Sequence, residues 1–207
     1  MARTYFYLLM SICMMAGCSH AAAPTGLRPS CPDKAADDYY FAKGVLDPQN
    51  EGSDSFLSEW YSGALSAAAE PSLSCGKPGN VYRFTWLRTF SHPVVVSVED
   101  KGKQKVVRVV ELDGAGGYGP GKVSRRVEKA LTAAQFDALE EAFDEADFDS
   151  MPTHVQRRGF DGSEWILETS GKQGYHVVVR WSPNDGPVLE LGERMLAMTG
   201  LDFDAKY

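Results

Sequence analysis

The fold turns on residues 80–114, NVYRFTWLRTFSHPVVVSVEDKGKQKVVRVVELDG. Tyr82, Phe84, Trp86, Arg88 and Phe90 alternate with Val81, Arg83, Thr85, Leu87 and Thr89. This period of two, rich in aromatics, predicts a β-strand, because successive side chains of a pleated chain point to opposite faces. Pro93 punctuates it. Residues 94–99 and 105–112 are β-branched runs flanking Asp100-Lys101-Gly102-Lys103, which predicts a hairpin.

Working outward, Val123, Arg125, Val127 and Lys129 alternate after a glycine-dense connection and predict a fourth strand. Residues 164–169 and 175–182 form a second predicted hairpin around 170-SGKQG-174. Three helices bracket these strands. The first is expected over about 54–69, capped by Ser53 or Ser55 and stopped by Pro71. Phe56, Trp60 and Ala64 recur there at four-residue spacing, with Leu57, Tyr61 and Leu65 alongside. The second starts after Thr132, where Gln135 completes a capping box and Leu131 can pack on Phe136; Phe136, Leu139 and Phe143 mark its buried face. The third starts near Pro187, buries Leu191, Met195 and Met198, and stops at Gly200. Short loops imply an antiparallel sheet of about five to six strands with three helices packed on it, an α+β domain.

In the second hairpin, pairing of residue 168 with 176 would set Glu168 across from His176 and Glu164 across from Arg180. Trp165, Leu167, Val177 and Trp181 would then lie nearer the core. Such pairs stabilise a sheet by about 0.2–1 kcal/mol each. Alternatively, Arg88, His176 and Arg180 converge on a polar sheet face that meets a ligand carboxylate or a partner's acidic cleft.

The connection itself, 111-ELDGAGGYGPGKV-123, matches two nucleotide-loop patterns, G-x-G-x-x-G and G-x-x-x-x-G-K. Neither has its context. No helix follows to receive a pyrophosphate, and Val123 stands where a Walker loop places Ser or Thr for magnesium. No nucleotide and no cofactor are expected. The glycines read as a source of positive φ between two strands, with Asp113 capping the turn and Tyr118 over it. Asp113 and Tyr118 therefore join Arg88, His176 and Arg180 as candidate contact residues. His20, His92, His154 and His176 show no metal-ligand spacing, and there is no G-x-S-x-G elbow.

The chain opens with one basic residue, Arg3, and an apolar run over residues 5–16, the length of a signal-peptide core and too short to span a bilayer. The run ends in Met15-Ala16-Gly17-Cys18, which resembles the lipobox of bacterial lipoproteins. That resemblance implies cleavage before Cys18, a lipid on its thiol and, with Ser19 next, anchoring in the outer membrane facing the periplasm. An ordinary secretory signal cut within Ala21-Ala22-Ala23 is the alternative. Residues 1–17 are then the signal peptide, 18–32 a flexible tether and 33–207 a single domain. Without Arg3 the balance is 20 basic against 28 acidic residues, which excludes a nucleic-acid footprint. Cys31 and Cys75 remain as an even pair in an oxidising compartment, and a disulfide is expected between them.

The segments 86-WLRTF, 112-LDGAGGYGPG, 161-DGSEWILE, 175-YHVVVRWSP and 200-GL together resemble a family of uncharacterised bacterial secreted proteins and lipoproteins. The likeness covers residues 82–201 and implies an extracytoplasmic domain without transferring any catalytic residue. Two functions fit: a non-enzymatic envelope domain that binds another protein, for instance of the immunity or inhibitor type, and a hydrolase or small-ligand binder with a dispersed Arg/His site.

Overall fold

The structure, a computed structural model, describes residues 40–74, 80–155, 159 and 161–203. Cys18, Cys31 and Cys75, and with them the signal peptide, tether and disulfide, lie outside the described residues. Along the chain come α1 (Glu51–Ala67), β1 (Val81–Arg88), β2 (Val94–Asp100), β3 (Lys105–Leu112), β4 (Val123–Leu131), α2 (Ala133–Glu145), a 3-10 turn (Phe148–Ser150), β5 (Ser163–Gly171), β6 (Gly174–Trp181) and α3 (Pro187–Thr199). The strands form one antiparallel sheet in the order β4-β3-β2-β1-β5-β6. The aromatic stretch that opened the reading is its central strand, β1, buried on both faces.

Helices cover both faces. On one, α2 and α3 pack Phe136, Leu139, Phe143, Leu191 and Met195 against Phe84, Trp86, Val96, Val109, Trp165 and Val178. On the other, α1 and the segment before it pack Phe41, Leu46, Leu57, Tyr61 and Leu65 against Leu87, Val95, Val110, Ile166 and Val179.

The helix ends follow local chemistry. Thr132 and Gln135 form the capping box on α2, and α3 has Pro187 in its first turn and Gly200 at φ +69 after its last. The start of α1 differs from expectation. Asn50, not a serine, caps it, accepting from Ser53 N at 3.1 Å, so the helix begins three residues before position 54. Asp54 is buried instead and accepts the backbone N–H groups of Gly44, Leu46 and Asp47, tying the preceding segment down.

The second hairpin is shifted by one residue from the expected register. Lys172 and Gln173 alone form its turn, between the paired Gly171 and Gly174, with Gly174 at φ +114. Glu168 therefore lies across from Val177 and Glu164 across from Trp181, while His176 pairs with Thr169 and Arg180 with Trp165. Because the side-chain period is two, this slip moves Glu164 and Glu168 off the His176/Arg180 face and under α1.

The two sheet edges are treated differently. Residues 151–155 lie along β6, with Val179 N donating to Thr153 O at 2.6 Å and a parallel bridge from His154 to Val179. The outer edge of β4 has no strand beside it among the described residues, and its exposed positions carry Arg126, Glu128 and Lys129. Charged side chains on an open edge oppose sheet-to-sheet aggregation.

Candidate functional site

The register keeps Arg88, His176 and Arg180 apart, although all three point to the α2/α3 face. His176 lies in the row of Tyr82 and Arg180 in the row of Trp86. Six residues of strand, about 20 Å, separate the rows of Tyr82 and Arg88. Each side chain is also engaged internally. Arg88 stacks 4.5 Å over the Trp86 ring, donates to His92 O at 2.8 and 3.1 Å and lies 4.0 Å from Glu111. His176 Nε2 is 3.0 Å from Met151 O, and Arg180 donates to Pro152 O and Thr153 O at 3.0 and 3.2 Å. Burial pushes the Arg180 pKa down. Together the last two fasten the edge segment to β6. The expected convergence on one polar face is not formed.

Asp113 and Tyr118 belong to the glycine loop, whose geometry differs from a simple turn. Only Gly121 has a positive φ, +80, while Gly114, Gly116 and Gly117 serve close approach and Gly119 stands in open space. The loop folds back over the β1–β2 connection: Gly116 N donates to Arg88 O at 2.8 Å and Gly117 N to Thr89 O at 3.1 Å. A Cβ on Gly116 would sit 2.6 Å from Arg88 N, so no larger residue fits. Gly114 and Gly121 press on each other's backbone in the same way. Asp113 accepts from Lys122 N at 2.7 Å and closes the loop. The amides of residues 114 to 118 all donate to protein carbonyls, which leaves them no free N–H for an anion.

This loop forms one wall of an aromatic groove, and α1 forms the other. Trp60 Nε1 donates to Gly116 O at 2.7 Å and locks the two together. The groove encloses about 500 Å³ and is lined by Phe56, Trp60, Tyr118 and Trp181, with Glu59 at its rim. Phe56 is 63% exposed, Tyr118 is 70% and the adjacent Phe90 is 59%. Of Phe56, Trp60 and Ala64, which recur at four-residue spacing, Phe56 faces solvent, Trp60 is half-buried between the loop and the core and Ala64 is buried, while Leu57, Tyr61 and Leu65 dock on the sheet. Of the five predicted residues, only Tyr118 belongs to this site.

Beneath α1 lies a layer of buried charge. Arg83 donates to both oxygens of Glu168 at 2.6 Å, with both side chains fully buried; Tyr175 adds a third bond to Glu168 at 3.0 Å. Burial pulls the Arg83 pKa down, but Glu168 more than offsets it and the net shift is upward. Glu70 accepts twice from Arg108, at 2.8 and 2.9 Å, and once from Ser97. Burial opposes ionisation of Glu70, yet Arg108, Arg83 and Ser97 hold its pKa below the usual carboxylate value.

Glu164 has no such compensation. It is 7% exposed, and burial pushes its pKa up to about 7. Among the described residues no cation acts on it. The Tyr61 hydroxyl lies beside it but completes no hydrogen bond of ordinary length and angle. Glu164 also sits directly across from Trp181, a wall of the aromatic groove. Sequence reasoning missed this residue because the expected register put it on the opposite face. The available signal was Ile166 between two glutamates: a strand that buries that isoleucine buries its acidic neighbours too.

A second depression of about 650 Å³ is lined by Glu140, Asp144, Asp147 and Asp149 with Tyr82 and Lys172. Among the described residues no group of three or more His, Cys, Asp or Glu side chains is placed to hold a metal ion, and no helix is long and apolar enough to cross a membrane. Compared with known protein families, curated proteins and solved structures, the chain matches none.

Proposed function

We propose that this chain is a lipid-anchored envelope protein whose domain binds another protein through the aromatic face formed by α1 and the glycine loop. One observation carries the reading: Phe56, Phe90 and Tyr118 present large apolar surface to solvent from a backbone fixed by glycine packing and the Trp60 hydrogen bond. Contiguous exposed apolar surface of this kind marks binding sites, and aromatic side chains dominate the energetics of protein interfaces. The Arg/His reading loses support, since those side chains are used in holding the fold together.

A two-part experiment tests it. The wild-type protein and a Phe56→Ala/Tyr118→Ala variant are each used to capture partners from envelope extract. A stoichiometric protein recovered by the first and lost by the second supports the reading; identical recovery refutes it. A captured partner that is itself a hydrolase or toxin, inhibited on binding, would narrow the role to immunity. For the anchor, Cys18→Ala should move the protein out of the membrane fraction, and unchanged retention would refute lipidation at that residue.

A further inference from the structure

Two features of the aromatic groove have a common explanation. Its walls are π faces: Phe56 and Trp60 from α1, with ring centroids 6.0 Å apart, Tyr118 from the loop and Trp181 from β6. Its charge is negative. Among the described residues Glu59 is the one charged side chain in the lining, and Glu164 is buried next to Trp181 with no described cation acting on it. The other buried carboxylates are each answered, Glu168 by Arg83, Glu70 by Arg108 and Asp54 by three backbone N–H groups. At Glu164 no described residue supplies such a partner.

A buried carboxylate without a partner costs stability. Electron-rich ring faces attract a guanidinium or ammonium, most strongly when water is excluded. A groove walled by such faces, with Glu59 in its lining and Glu164 buried beside its Trp181 wall, is complementary to a cation on an apolar stem. We infer that the aromatic groove is a receptor for a basic side chain of the protein partner, an arginine or lysine that stacks on Trp60, Tyr118 and Trp181 and is neutralised by Glu59 and Glu164. This rests on the protein-binding reading above and specifies its chemistry: the partner inserts a positively charged anchor into a negative aromatic slot, as suits a chain of formal net charge −7. Arginine is a frequent centre of interface energy for this reason.

Glu164 gives the inference a signature that a bare apolar patch lacks. From α1 Tyr61 faces it, from β1 Leu87 and from β6 Trp181. None of these titrates between pH 6 and 8, the Tyr61 value being raised well above 10. Cation binding requires the ionised carboxylate, so affinity must rise with pH across that window.

The test uses the purified protein and a five-residue peptide, acetylated and amidated, with a single central arginine. Its citrulline counterpart has the same shape and no charge. Indole N–H signals report binding: Trp60 and Trp181 should shift with the arginine peptide, while the buried Trp86 and Trp165 should not. Tyr118→Ala and Glu164→Gln should each weaken binding by about tenfold, and Glu59→Gln by about threefold. Wild-type affinity should be about tenfold tighter at pH 8 than at pH 6, and Glu164→Gln should be flat. The Glu164→Gln protein is expected to be the more stable one, so weakened binding there cannot be misfolding. Equal binding of arginine and citrulline, no indole shift at about 10 mM peptide, or binding unaffected by Tyr118→Ala each overturns the inference. The two readings fail separately. A partner captured through Tyr118 with no arginine preference leaves protein binding standing and removes the cation site. Arginine binding with no partner captured does the reverse.

Discussion

The two faces of the sheet are built on different physics. The α2/α3 face is dry at its centre: Phe84, Trp86 and Trp165 interlock with ring centroids 4.9 to 6.4 Å apart, and Phe136, Leu139 and Met195 close over it, with the buried Arg88 stacked on Trp86 at its end. The α1 face contains comparable apolar surface but also holds Arg83, Glu168, Glu70 and Glu164 at or below 7% exposure. Three of those four are in bidentate arginine–carboxylate pairs, and one is not. A paired buried charge is close to neutral for stability, whereas an unpaired one is a standing cost. The dry face therefore supplies stability without an accompanying feature that asks for a ligand. The α1 face contains the exception, and the exception borders the open groove.

The comparison can be broken most severely at its best-paired charge. Glu168→Ala leaves Arg83 buried without its bidentate partner and should cost about 3–5 kcal/mol in urea unfolding. Arg83→Met combined with Glu168→Leu should recover most of that loss, because it removes both charges while keeping volume. On the dry face, Leu139→Ala removes a fully buried side chain and should cost about 2–5 kcal/mol, through transfer and cavity terms alone. That loss should be independent of pH between 5 and 9, unlike removal of Glu164 on the other face.

Glu164 should behave with the opposite sign. Its pKa is raised in the folded protein, from the ordinary 4.5 to about 7, so the folded state binds more protons in that interval. Stability must then fall as pH rises from about 4.5 to about 7, and Glu164→Gln should remove that fall. At pH 8 the variant should be about 2–3 kcal/mol more stable than wild type. Glu70 gives the contrary trend, since its pKa is lowered: its contribution is present above the unfolded value and disappears as pH falls through the folded one. Unfolding curves at pH 5 and pH 8 for the Glu164→Gln protein separate the two. A variant with no gain at pH 8 would show that Glu164 is already compensated. The smallest effect on stability belongs to Tyr118→Ala, within about 0.5 kcal/mol, because the ring is 70% exposed. Its consequence should appear only in binding.

How much was legible depended on range. The 80–114 stretch identified its three strands to within a residue or two at the ends because alternation and β-branching act locally. The capping box at Thr132 and the glycine stop at Gly200 were equally readable, each being chemistry within four residues. The register of the second hairpin was not. A two-residue turn and a five-residue loop fit the same SGKQG, and the choice between them swaps the faces of the strand. The glycine loop was misread for a related reason. Three of its glycines, Gly114, Gly116 and Gly117, answer to neighbours rather than to their own φ, and the nearest neighbour of Gly116 is Arg88, distant in sequence.

By itself, then, the sequence determined the element order, the antiparallel sheet and the helix ends, because periodicity and capping are properties of adjacent residues. The tertiary structure alone decided which charges are buried together, that Glu164 is buried beside Trp181 with no cation among the described residues acting on it, and that Phe56 faces a glycine loop from another part of the chain. Those outcomes follow from strand pairing and backbone contact between distant segments, and the groove exists only where they meet.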